Sequence, residues 1–204
     1  EVSLGPKRHR RADLDTYEAI MTRKSVSPLE GPSPTGAQIV QLLNAAVRAP
    51  SHHLTQSWRF IAVTAKALDD LGDVFATRVQ MEDPDAPDLE RRLADARSQP
   101  HRAPAIIVAV YRKSSHPKAV EVEDRYAIGA AVQNLLLAAH SMGLGTYWRT
   151  GPNAFDEGVK SHLGLTQSEE IAGFIYVGHL PADASNTAMA ERTPAEEVTT
   201  WLGF

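Results

Sequence analysis

The 204-residue chain contains no cysteine, which excludes a disulfide framework, a thiolate metal site and a cysteine nucleophile. Long hydrophobic runs are missing as well. The longest, near residues 105–111, is far too short to span a bilayer, and no charged start leads into an apolar stretch of the signal-peptide kind. A soluble, cytoplasmic protein without a membrane partner is expected. Positive charge is not in excess: the formal net charge is -4, which argues against nucleic acid as the main partner. No Gly/Ser-rich or Pro-rich linker divides the chain, so one domain is expected. What is present, 43% hydrophobic and 23% charged residues, suffices for a real core. Only the start differs. Lys7, Arg8, His9, Arg10 and Arg11 form a basic run without apolar periodicity, so residues 1–13 read as a flexible tail and 14–204 as the folded domain.

Apolar periodicity predicts a short helix over 15–23, with Leu14, Tyr17, Ile20 and Met21 as its stripe. Thr35 is placed to cap a second helix that ends before Pro50. A strand over 58–63 and a helix over 67–80 follow. Residues 88–97 form a polar helix with little apolar face, read as a mobile flap that helps shape a substrate pocket. The continuous β-rich run at 105–111 suits a central strand covered on both faces. Residues 127–142 form the strongest helix, closed by Gly143 and apolar nearly all round, as a subunit interface would require. A short strand at 145–148, a helix at 155–163 and a strand at 171–177 complete the body. Val198, Trp201, Leu202 and Phe204 leave an apolar C-terminus that needs covering by this body or a second one. Helices and strands mix without strict alternation, so the class is α+β.

Three segments place polar or cationic residues where elements begin or end. Arg23-Lys24-Ser25 offers two cations and a hydroxyl, a good phosphate grip, although alone it also reads as a solvated helix end. The loop from Arg48 to Trp58 presents Ser51, His52, His53, Thr55 and Gln56. A polar ring or sugar-like chain could bind there, and a plain surface loop is the simpler reading. Adjacent histidines diverge and lack a completing ligand, so no metal is expected. The stretch from Gly143 to Gly151 supplies glycines, an aromatic face at Trp148 and polar groups at Arg149 and Thr150. Its spacing is not the dinucleotide fingerprint, and neither a P-loop nor a nucleophile elbow occurs.

In this order and spacing, the motifs resemble the nitroreductase family of FMN-dependent oxidoreductases, in its small single-domain bacterial branch. Arg23-Lys24-Ser25 matches its R-[RK]-S, and Arg48 through Trp58 its R-x-P-S/D-x-x-x-x-Q-P-W. Gly143 through Thr150 matches G-x-G-x-x-W-R-[ST], and Gly173 through Gly178 the G-F-[IL]-Y-[VL]-G strand. Ser57 stands where the pattern has proline, and Leu54 where many relatives carry a flavin-binding asparagine; Gln56 is retained.

The resemblance implies an α+β three-layer sandwich, a central mixed β-sheet flanked by helices, with a C-terminal extension packing on the partner subunit. It implies a homodimer with FMN at the interface. Arg23, Lys24 and Ser25 would meet the phosphate and ribityl chain, Arg48 and His52 would reach the flavin from the partner, and Trp148, Arg149 and Thr150 would line its other side. NAD(P)H would donate hydride in a ping-pong cycle ending on a nitroaromatic, quinone or similar acceptor, with no side chain named as acid or base. A non-enzymatic FMN carrier or sensor is the alternative, as is another flavin reaction on the same fold: enone reduction, dehalogenation or flavin fragmentation.

Overall fold

The computed structural model describes residues 14–182 and 189–203. The basic run at 7–11 and Phe204 lie outside the described residues. Four strands, β1 (Trp58–Thr64), β2 (Ala105–Arg112), β3 (Leu144–Arg149) and β4 (Glu169–His179), form one sheet in the order β1-β2-β4-β3. All three pairings are antiparallel. The parallel component expected of a mixed sheet is confined to a bridge between Ser25 and Thr146 at the β3 edge.

Side chains alternate across the sheet and feed two cores. Ile107, Ala109 and Ile175 pack against helices α2 (Gly36–Ala46) and α5 (Glu121–Ser141), which supply Ile39, Leu42, Ala131 and Leu135. Ile106, Val108 and Phe174 face α3 (Lys66–Glu82), α4 (Leu89–Ser98) and α6 (Glu157–His162), through Leu71, Phe75, Leu93 and Val159. Strand β2 is buried on both faces along nearly its whole length, as its unbroken apolar run requires. The result is the expected three-layer α+β sandwich.

Three elements differ from their sequence reading. Helix α1 (Thr16–Thr22) is capped by Asp15 and buries only Ala19, while Tyr17, Ile20 and Met21 face outward. An apolar stripe that no described residue covers calls for covering by something further. Helix α5 begins six residues earlier than its apolar repeat. Its first turn carries Glu121, Glu123 and Asp124, acids that the positive helix terminus favours and that hydropathy does not count. Helix α4 is no mobile flap. Leu93 and Ala96 are buried in the core beside α3, and a Cβ on Gly72 of α3 would lie 2.6 Å from the Arg97 carbonyl oxygen. Salt bridges from Arg97 to Asp73 and from Arg92 to Asp83 hold α4 down.

Candidate functional site

The site is built along α5 and the β3 edge. Where α1 ends, Arg23 is the cap and the chain runs beside β3: Ser25 bridges Thr146, and the Val26 N–H donates to the Thr146 carbonyl at 3.1 Å. Thr22 meets His140, near the C-terminal end of α5, at 2.9 Å. Arg23 is half-buried, and its pKa is lowered by that burial and by the neighbouring charge of Arg192. The Arg192 guanidinium donates to the carbonyls of Ala190 and Glu191. Neither guanidinium is ion-paired with a carboxylate among the described residues, so each can take an anion. Sequence reasoning missed Arg192, which sits in no motif.

Strand β3 then presents Trp148 and Arg149 on opposite faces. The Trp148 indole N–H donates to the Ala172 carbonyl at 3.3 Å. It fits because Gly173 has φ +155° and no side chain: a Cβ there would lie 2.1 Å from the indole nitrogen. The β2–β4 register slips beside this point, between Ala109 and Val110. Arg149 lies on the face of Tyr147 and Tyr176. Burial raises the Tyr176 pKa, and the charges of Arg149 and Arg102 oppose that rise. Thr150 follows exposed, just before the turn at Gly151.

Trp148 also lines a pocket of about 210 Å³ together with Tyr111, Arg125, Ile128, Gly129, Glu170, Ile171 and Ala172. No α4 residue takes part. Arg125 lies over the Tyr111 ring at 4.5 Å and grips Glu121 and Glu170 with two hydrogen bonds each. Those bonds raise the Arg125 pKa, and Arg125 in turn holds Glu170 below its ordinary value. Burial raises the Tyr111 pKa, and its hydroxyl is buried without a hydrogen-bond partner.

Next to Glu170, burial would raise the pKa of Glu169. The Thr166 backbone N–H at 3.0 Å and Arg59 at 2.9 Å outweigh it, so the net shift is downward. Both folded values are depressed, so these two carboxylates contribute stability above the unfolded value of 4.5 and lose it as pH falls through their lower folded values. Thermal unfolding followed from pH 7 to pH 3 should show stability declining below about pH 4.5. Glu169→Gln should be less stable at neutral pH and show a shallower acid slope.

Arg48 and His52 stand elsewhere. Arg48 is exposed just beyond α2, and His52 opens a 3-10 turn at His52–Leu54. His52 Nε2 lies 3.5 Å from Glu123, in the first turn of α5. His116 stacks on His53 at 5.4 Å, a third histidine the sequence did not bring there. Even so, no group of side chains among the described residues could hold a metal ion. Arg23 is therefore tied to one end of α5 and His52 to the other. At the helical rise per residue, Glu123 and His140 stand about 25 Å apart along α5.

The chain matches the model of the nitroreductase family over residues 20–179. YdjA of Escherichia coli K12, provisionally named an NAD(P)H nitroreductase, is 30% identical over 174 residues, 85% of this chain and 93% of that protein. A nitroreductase-like family protein from Bacillus cereus superposes with a TM-score of 0.77 at 24% identity, covering 92% of this chain and 96% of its own. A protein of Desulfovibrio desulfuricans solved with FMN gives 0.71 at 26% identity, over 92% and 96% of the two chains. The sandwich, the ordered motifs and these likenesses agree: the chain belongs to the nitroreductase family.

Proposed function

We propose that the protein is an FMN-dependent NAD(P)H oxidoreductase acting as a homodimer, with its flavin sites at the interface. The observation that carries this reading is the end of α1 laid along the β3 edge: Ser25 bridges Thr146, and half-buried Arg23 precedes it within the field of Arg192. That donor set fits a phosphate: guanidiniums that bind oxyanions bidentately, neither ion-paired with a carboxylate among the described residues, and a hydroxyl. Lys24 extends the grip toward the ribityl chain. Trp148 offers an aromatic wall two residues along β3 from Thr146, the bridge partner of Ser25; Arg149 lies on the opposite face of β3 and Thr150 follows it.

FMN, when bound, supplies the redox chemistry: it accepts hydride from NAD(P)H and returns two electrons to an electron-poor acceptor such as a nitroaromatic or a quinone. The chain's own residues bind and orient. Arg23, Arg192 and Ser25 would hold the phosphate, and the pocket lined by Trp148 would shield one side of the ring system from water. Donor and acceptor use that space in turn, a ping-pong order.

His52 comes from the other subunit, because it is tied to the opposite end of α5 from Arg23, and Arg48, on the same loop, comes with it. The dimer is further supported by the uncovered Tyr17, Ile20 and Met21 on α1 and by Val198, Trp201 and Leu202, which stay exposed on their own body. In this reading the C-terminal segment packs on the partner. The protein works in the cytoplasm, where reduced nicotinamide nucleotides are found.

The test is a visible spectrum after adding FMN and removing the excess, followed by anaerobic NADH or NADPH. Retained flavin absorbance that bleaches within seconds and returns on adding a nitroaromatic or quinone is expected. Retained flavin that neither nucleotide reduces at a useful rate would make the protein a carrier and overturn the enzymatic reading.

A further inference from the structure

The loop between α2 and β1 is held in a shape its own residues disfavour. His53, Leu54 and Gln56 have φ values of 49°, 52° and 46°, and none is glycine. Ordinary residues keep such angles only when their surroundings impose them. The surroundings here form a directed relay. Thr55 Oγ1 donates its single proton to Asp124 Oδ1 at 2.5 Å. Ser51 Oγ, 3.1 Å from Thr55 Oγ1, is therefore the donor in that contact. Its oxygen then accepts the Gln56 N–H at 2.9 Å. The relay runs Gln56, Ser51, Thr55, Asp124 and ends on a side chain only 2% exposed in the first turn of α5. That turn is itself fixed, since the next residue, Arg125, is clamped to Glu170 on β4.

We infer that Asp124 is a positioning residue for the cofactor site: through Thr55 and Ser51 it sets the loop that carries Arg48 and His52. The inference rests on the FMN reading above. Asp124 touches no ligand itself. The competing role is plain helix stabilisation, since Glu121 and Glu123 share its turn and an acid there favours α5 whatever the loop does.

FMN fluorescence-quenching titrations and thermal unfolding without FMN separate the two roles, using the full chain as wild type, Asp124→Ala, Asp124→Asn, Thr55→Val and the Thr55→Val/Asp124→Ala double variant. Loss of one charge-assisted hydrogen bond should raise the FMN dissociation constant about tenfold in Asp124→Ala and in Thr55→Val alike. The double variant should be no weaker than either single one, because both break the same relay. Asp124→Asn keeps an acceptor oxygen and should stay within about threefold of wild type.

Unchanged FMN affinity in Asp124→Ala and Thr55→Val would overturn the proposal. So would a loss in Asp124→Ala, with reduced thermal stability, that Thr55→Val does not share. If Asp124→Ala does not fold, Thr55→Val and Asp124→Asn decide by the same criteria. Failure of the wild type itself to bind FMN removes the functional reading and this inference with it, and only that outcome involves the wild type.

Discussion

Arg23→Ala should bind FMN about a hundredfold more weakly than wild type, the loss expected from one well-placed guanidinium on a phosphate. Arg192→Ala should also weaken FMN binding, because its charge acts on Arg23. Riboflavin, which lacks the phosphate, is the control: its affinity should change little in either variant. The effect on the protein without flavin has the opposite sign. Burial and Arg192 both disfavour the Arg23 charge, so removing either arginine relieves repulsion, and the unfolding midpoint without flavin should stay level or rise. A paired fluorescence titration and melting curve reads both quantities. Equal losses for FMN and riboflavin would mean that the arginines shape the loop and do not hold the phosphate.

Gly173→Ala should cost about 3 kcal/mol, from a backbone angle that alanine disfavours together with overpacking against the indole. The added Cβ would meet the Trp148 ring nitrogen at 2.1 Å and the Arg149 carbonyl at 3.1 Å, with φ at +155°. For a domain of this size the melting temperature should drop by about 10 °C. The Trp148 side chain must leave its place against Ala172, so the flavin pocket opens along with the loss of stability. The cause can be isolated by repeating the substitution in Trp148→Ala. If the indole is the obstacle, the glycine substitution costs less there, and the two changes are not additive. Equal cost in both backgrounds would assign the effect to backbone strain and the Arg149 carbonyl contact, not to the indole.

The sequence made the scaffold legible where one physical signal dominated. The unbroken run of β2 could only be a doubly covered strand, and Thr35 followed three residues later by Gln38 formed the full capping box of α2. It was less legible where signals competed. The α1 stripe was readable as a stripe, but periodicity does not say whether this body or another covers it. The start of α5 was masked by acids that stabilise a helix terminus while lowering its hydropathy. Helix α4 looked loose because two small buried contacts and several salt bridges, not a broad apolar face, attach it.

The motifs named the candidate residues, yet how the fold arranges them was not readable from spacing. Arg192 reaches Arg23 from the far end of the chain without any local pattern. The relay from Gln56 to Asp124 links ordinary polar residues that only the fold brings together. The separation of Arg23 from His52 appears only once α5 is seen to lie between them.

That separation makes the central claim a statement about two chains. Native mass spectrometry of the FMN-reconstituted protein tests it most directly. The expected species is a dimer carrying two FMN molecules, with Arg23→Ala giving a dimer that has lost most of its flavin. A monomer that holds FMN by itself would contradict the shared site, because one chain would then have joined groups that its own α5 keeps apart.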